Sequence, residues 1–179
     1  MDKGNVTRIM VYQTQKAFYY IATILLLLSG CSDITPIWKG DHKLQNFTLY
    51  TNEPCQYKVS IGPEYEQILA KLELTITYYN KISRNDLPLS IFLEQDSSKE
   101  VQEFTVNIPL KEEGDWLGTP IEGKEYDLIL SYDAVSAIKL GTGSYTLRIF
   151  ADDLEVPNGE IEGVMQVDAR LYALLDGDS

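Results

Sequence analysis

Two cysteines, one histidine and several neighbouring carboxylates are the side chains of this sequence that could carry out a reaction. The cysteines are Cys31 and Cys55, and His42 follows Asp41. A thiol is a nucleophile and a histidine can act as a base, but no Gly-x-Ser-x-Gly segment and no Cys/His pair accompanies them. We therefore predict no catalytic residue and no enzymatic activity, and we expect His42 to be a solvated loop side chain.

The carboxylates form two clusters in the sequence. These are Glu112-Glu113 with Asp115, and Asp152-Asp153 with Glu155. Two carboxyl groups about 5 to 5.5 Å apart would suit a retaining glycosidase, and hard oxygen ligands would suit calcium. The EF-hand spacing is missing, however, and a chain with 27 acidic and 15 basic residues brings acids together by composition alone. We predict neither a metal nor a cofactor.

Length and charge narrow the class of protein. The chain has 179 residues, of which 44% are hydrophobic and 23% charged, as expected for one ordinary globular domain. Its formal net charge of -12 would repel the phosphate backbone of nucleic acids, so we expect no nucleic-acid partner.

The N-terminal segment has the charge order of a secretory signal. Lys3, Arg8 and Lys16 precede an apolar run at residues 17–28, and no acidic residue lies between Lys3 and Ser32. The run is shorter than the roughly 20 residues that a spanning helix needs. We therefore predict that residues 1–30 form a cleaved signal helix, and a permanent transmembrane anchor is the weaker alternative.

The sequence Leu28-Ser29-Gly30-Cys31, which ends this segment, resembles the lipobox of bacterial lipoproteins. The resemblance implies that the Cys31 thiol takes up diacylglycerol before cleavage, and that palmitate completes a lipid anchor in the membrane. Two or three acyl chains would hold the protein on a bilayer, whereas one would not. The alternative is an ordinary signal, with Cys31 free to pair with Cys55. With Cys31 lipidated, Cys55 is expected to be a small buried hydrophobe.

Only one acidic residue, Asp33, lies in the five positions after Cys31. Surface-exported lipoproteins of some Gram-negative groups carry several acids there, so we expect this chain to face the periplasm from the outer membrane. Pro36, Gly40 and the lack of periodicity predict that residues 31–44 form a lipidated tether.

From residue 45 onward, β-branched and aromatic residues alternate with polar ones, which predicts strands. The clearest strand covers residues 72–79, with Leu72, Leu74, Ile76 and Tyr78 on one face. Early candidates contain Phe47 with Leu49, and Tyr57 with Val59 and Ile61; later ones cover 89–94, 103–110, 126–132, 145–151 and 163–174. A short helix over residues 64–72 is a competing interpretation, because Tyr65, Ile68, Leu69 and Leu72 also have helical spacing.

This pattern predicts an all-β fold. Each sheet needs a second layer to cover its apolar face, so we expect residues 45–179 to form one antiparallel β-sandwich, either jelly-roll or immunoglobulin-like. A closed barrel is the alternative.

The order of several weak motifs resembles the gliding-motility lipoproteins of the GldH type. After the lipobox come Asp86–Ile91, the strand Phe104–Leu110, the segment Gly114-Asp115-Trp116-Leu117-Gly118, and closing strands at 143–149 and 161–168. The resemblance implies a membrane-anchored accessory of the gliding machinery and its associated protein export, with other envelope proteins as partners. A glycan-binding envelope lipoprotein is the alternative function.

Trp116 and Leu117 are the candidate contact residues in this pattern. Glycines on both sides permit a turn that could direct the indole inward or outward. The ring either plugs one end of the sandwich or faces a partner or a sugar.

Overall fold

Strands make up nearly all the secondary structure of the residues that the structure describes. The computed structural model describes residues 35–152, 154–156 and 158–174, which include no α-helix. The strands are β1 (Trp38–Lys43), β2 (Thr48–Tyr50), β3 (Cys55–Ile61), β4 (Gln67–Tyr79), β5 (Asp86–Gln95), β6 (Val101–Pro109), β7 (Lys111–Glu112), β8 (Asp115–Trp116), β9 (Thr119–Pro120), β10 (Asp127–Gly141), β11 (Gly143–Ala151), β12 (Glu160–Glu162) and β13 (Val164–Ala173).

Eight long strands form two antiparallel sheets. One sheet has the order β1-β13-β4-β10, with the two-residue β9 at its end, and the other has the order β3-β11-β5-β6. When the eight long strands are numbered in chain order, the first sheet has the order 1-8-3-6 and the second sheet has the order 2-7-4-5. This is the strand order of a jelly roll. The all-β, antiparallel sandwich expected from the sequence is therefore confirmed.

The core lies between the two sheets and is made by alternating side chains. Leu72, Leu74, Ile76 and Tyr78 of the central strand β4 are fully buried, as their period of two predicts. Strand β4 pairs with β10 on one side and with β13 on the other. Side chains on its opposite face are partly buried as well. Strand β4 thus anchors the first sheet.

The predicted tether is too long, because part of it belongs to the sandwich. Residues 38–43 form β1, which pairs with β13 from Trp38 opposite Leu171 to Lys43 opposite Gln166. The side chains of β1 alternate between half-buried and exposed, as expected for an edge strand with short and polar residues. Such a strand lacks the strong apolar alternation that reveals a central one, which is why the sequence suggested a loop.

Two further expectations need correction. Residues 67–72 continue β4 and form no helix, because pairing with β10 and β13 satisfies their backbone groups. Phe47 does not start a strand; it lies in the 3-10 turn Gln45–Phe47 and is 58% exposed.

The two long sides of the sandwich are closed to different extents. At the side of β1 and β3, the Trp38 indole Nε1 donates to the carbonyl of Lys58 at 3.1 Å, and the buried Tyr57 hydroxyl donates to the carbonyl of Val167 at 2.7 Å. At the side of β6 and β10, the strands do not pair, and Gln102 Nε2 donates to the carbonyl of Lys139. The sheets therefore stay separate, and the fold is a sandwich and not a closed barrel.

Candidate functional site

The predicted lipidation residue Cys31 and the predicted signal segment 1–30 lie outside the described residues. Within the described residues, no helix is long and apolar enough to span a bilayer.

Trp116 lies on a small hairpin at one end of the sandwich. This Trp116 hairpin, defined as residues 111–118, consists of β7, a two-residue turn and β8. The indole is half-buried and packs against the core, with its centroid 6.0 Å from the ring of Tyr78. Lys111 Nζ lies 3.9 Å from the centroid of the indole. The ring is thus held between the core and a cation.

Backbone conformations that favour glycine shape this hairpin. The turn residues Glu113 and Gly114 both have positive φ, as in the tight turns that suit the twist of paired strands. Gly118 has a φ of 100°, and a Cβ atom there would lie 2.7 Å from the carbonyl oxygen of Ile129. The glycines on both sides of Trp116 therefore set the path of the chain, as the sequence suggested.

Tyr78 fastens the Trp116 hairpin to the first sheet. Its buried hydroxyl donates to the carbonyl of Leu117, and the carbonyl oxygen of Leu110 lies 3.3 Å from the same hydroxyl. Burial raises the pKa of this phenol to about 12. Leu117 is half-buried, and its N–H donates to the carbonyl of Leu110 at 2.9 Å. The two predicted contact residues thus lie together where the hairpin covers the end of the core.

An open groove of about 720 Å³ lies at the opposite end of the sandwich. The first residues of β4, the last of β10 and the turn between β5 and β6 form most of its wall. Its lining residues are Glu66, Gln67, Ile68, Leu69, Gln95, Glu100, Gln102, Lys139, Leu140, Gly141 and Tyr145. Its lining combines amides, two carboxylates and a lysine with apolar side chains and a tyrosine, and includes no serine, cysteine or histidine.

The described members of the two carboxylate clusters do not assemble into a site, and Asp153 lies outside the described residues. Glu112, Glu113 and Asp115 are exposed on the Trp116 hairpin. Asp152 is buried, and its carboxylate accepts hydrogen bonds from the Ser90 hydroxyl at 3.0 Å and from the N–H of Leu154 at 2.9 Å. It therefore holds the loop after β11, and no group of three or more His, Cys, Asp or Glu side chains in the described ranges could hold a metal.

His42 differs from its predicted loop position. It is half-buried on β1, and its ring centroid lies 6.0 Å from that of Tyr57. It therefore packs at the seam between β1 and β3. All tyrosines and tryptophans in the described ranges are likewise buried or half-buried, so these ranges contain no exposed aromatic row on which a sugar could stack.

Cys55 begins β3 and is fully buried. Burial raises the pKa of its thiol to about 12, although a hydrogen bond with Tyr57 lowers it in part. A thiol that stays protonated and out of reach is a weak nucleophile, as expected for a structural cysteine.

This environment makes Cys55 unreactive while the chain is folded. We expect iodoacetamide at pH 8 to leave Cys55 unmodified in the native chain, and to alkylate it in 8 M urea, where its pKa returns to the ordinary value of about 8.5. Mass spectrometry of the peptide that contains Cys55 measures the fraction modified. Equal alkylation with and without urea would contradict the buried, protonated state.

The groove and the strand edges could not be found from the sequence, because residues far apart in the chain form both. No sequence pattern pointed toward the groove, and the helical spacing at residues 64–72 favoured a helix where part of its wall forms.

Comparisons with known proteins do not place the chain in a family. No protein-family model and no curated protein matches it. The structure of Eiger TNF from S. frugiperda aligns with a TM-score of 0.38 and 10% identity over 81% of this chain and 97% of that chain. A family 35 carbohydrate binding module from Clostridium thermocellum aligns with a TM-score of 0.35 and 11% identity over 73% of this chain and 90% of that one. Likenesses at this level define no function.

Proposed function

We propose that this chain is a lipid-anchored, non-enzymatic protein of the bacterial cell envelope and an accessory of a gliding-motility or associated protein-export machinery. The observation that carries the proposal is the sequence Leu28-Ser29-Gly30-Cys31 directly after a basic and then apolar leader. The order of motifs from Asp86 to Asp168, which resembles the GldH type, supports the machinery named.

Lipid on Cys31 would supply the membrane attachment. The sulfur would carry diacylglycerol and the new N-terminus palmitate, and each buried CH2 contributes about 0.8 kcal/mol to membrane binding. With a single acidic residue among the five after Cys31, we propose the outer membrane as the location, with the protein facing the periplasm.

Few residues separate Cys31 from the fold. Trp38, the first residue of β1, is the seventh residue after Cys31. An extended chain advances at most about 3.6 Å per residue, so β1 would begin within about 25 Å of the lipid-bearing residue. A lipid on Cys31 would therefore keep the sandwich close to the bilayer.

Co-purification tests the machinery assignment. The native chain carries a tag at its C-terminus, the envelope is solubilised in mild detergent, and mass spectrometry identifies and quantifies the proteins recovered with it. We expect envelope proteins in a fixed ratio to this chain, and we expect Cys31→Ala to lose them because it is not anchored beside them. Recovery of the chain alone from both samples would overturn the accessory role and favour the alternative, glycan binding.

A further inference from the structure

Strand β6 lies at the edge of the second sheet, where Gln102 Nε2 donates to the carbonyl of Lys139 in β10 but no described strand pairs with its outer side. Its nine residues pair with β5 over nine consecutive positions without a register shift. In an antiparallel pair, every second residue of β6 directs its N–H and C=O away from β5. No other strand in the described ranges pairs with that side of β6.

The other sheet edges carry features that block further pairing. Strand β1 contains two lysines, and β3 has Lys58 at its centre, whose carbonyl already binds the Trp38 indole. Strand β10 is bulged twice between Asp133 and Ile138, and β9 is two residues long and ends in Pro120. Charged side chains, bulges, prolines and short strands are the usual protection against unwanted strand pairing. Strand β6 has no lysine, arginine or glycine, and its proline is its last residue.

Apolar side chains on the inward face of β6 are also incompletely covered. Phe104 and Val106 belong to this face and are only half-buried, because β10 does not pair with β6. On the outward face, Val101 is 48% exposed. A strand added beside β6 would satisfy its free backbone groups and cover this apolar surface at the same time.

We propose that the partner of β6 is the β6 strand of a second copy of this chain, in an antiparallel register centred on Thr105. Thr105 is the middle residue of β6, so this is the one register that pairs all nine residues. A two-fold axis through Thr105 makes the same surface meet itself, as a symmetric dimer requires.

The side chains of β6 complement themselves in this register. Thr105 faces Thr105 of the partner, Phe104 faces Val106, and Glu103 faces Asn107. Threonine pairs and aromatic pairs with β-branched residues stabilise neighbouring strands, whereas like charges directly opposite destabilise them. Glu103 is the only charged residue of β6, and here it meets an amide. A register centred on Glu103 would place the two carboxylates together.

The charge around the new interface is compatible with this pairing. The neighbouring Asp86 carboxylate, which accepts a hydrogen bond from Asn107 Nδ2 at 2.8 Å, also forms an ion pair with Arg84 at 3.1 Å. The net charge of -12 makes two copies repel at long range, and salt screens that repulsion. We therefore expect the dimer to be more populated at 500 mM than at 20 mM NaCl.

Disulfide trapping in the full chain tests the register. In Thr105→Cys, the two introduced thiols face each other, and the 4.5 to 5.5 Å between opposite Cα atoms of antiparallel strands permits a disulfide. The matched control is Glu103→Cys, which is also exposed on β6. In the proposed register, the Cα atoms at position 103 of the two chains would lie about 14 Å apart, beyond the reach of a disulfide. Cells that express each variant are treated with an oxidant. A non-reducing gel then separates disulfide-linked dimers from monomers, and mass spectrometry identifies the linked chains.

We expect Thr105→Cys to shift from one to two chain masses while Glu103→Cys and the parent chain do not shift. The pair Glu103→Cys and Asn107→Cys, expressed together with different tags, is expected to form a mixed dimer.

A lysine at the centre of β6 tests the dimer without a disulfide. In sedimentation experiments on the parent background, Thr105→Lys should convert the dimer to a monomer. Its circular dichroism spectrum should remain that of the parent, because Thr105 is exposed.

Three results would overturn the proposal. They are a parent chain that is monomeric at both salt concentrations, equal trapping by Thr105→Cys and Glu103→Cys, and a Thr105→Cys disulfide to a different protein. The last result would assign the edge of β6 to another partner.

Discussion

Replacing Cys31 with alanine is expected to abolish acylation of this chain and to leave residues 1–30 attached to it. The thiol is the nucleophile that would accept diacylglycerol, and alanine has no atom that can replace it. Because lipid addition comes before cleavage in the lipobox pathway, the unmodified chain would keep its leader. Metabolic labelling with an alkyne fatty acid measures acylation, and intact mass measures cleavage.

The chain offers a matched control for this experiment in its second cysteine. Cys55 is buried in β3, so Cys55→Ala should keep both the fatty-acid label and the shorter mass. Detergent-phase partitioning provides a second measurement, since two or three acyl chains bind a bilayer far more strongly than one. Label on Cys31→Ala, or a native chain that carries none, would contradict the lipid anchor. Dimerisation through β6 would be unaffected by either result, because it does not depend on lipid.

Leu74→Ala is expected to lower the free energy of unfolding by about 3 to 4 kcal/mol. Leu74 is fully buried in β4, opposite Tyr132 of β10 on one side and Ala169 of β13 on the other. Removing three carbons there loses apolar burial and leaves a cavity that the paired strands on both sides cannot collapse to fill. Urea unfolding followed by tryptophan fluorescence measures the change, because Trp38 and Trp116 both pack against the core.

The same substitution at an exposed leucine isolates the effect of burial. Leu154 is 86% exposed in the loop after β11, so Leu154→Ala should change the free energy of unfolding by less than about 0.5 kcal/mol. Similar losses at Leu74 and Leu154 would show that β4 is not the centre of the core.

The strands of this protein were predictable where one face is buried and the other is not. The alternation in β3 and at residues 72–79 of β4 places every second side chain in the core, and both segments are strands. Strand β1 was not predictable in this way, because Lys39, Asp41 and Lys43 point to solvent while Gly40 and His42 offer little apolar signal. Its pairing with β13 depends on residues more than 120 positions away.

The parts of the candidate site were predictable to different degrees. Turn chemistry at Gly114 and Gly118 indicated a special backbone path around Trp116, and both glycines have positive φ. The contact between Trp116 and Tyr78 was not visible, since it joins a hairpin to a strand from another part of the chain. The groove depends on three chain segments that meet only when the sheets have formed.

The sequence by itself determined the all-β class and most of the long strands, and it alone places Cys31 after a basic and then apolar segment, because each of these depends on neighbouring residues. Only the tertiary structure decided that the sandwich is a jelly roll, that the groove and the Trp116 hairpin lie at opposite ends, and that β6 has an open edge. The physical reason is that alternation reports which face of a strand is buried, whereas strand order follows from the packing of distant segments into two layers.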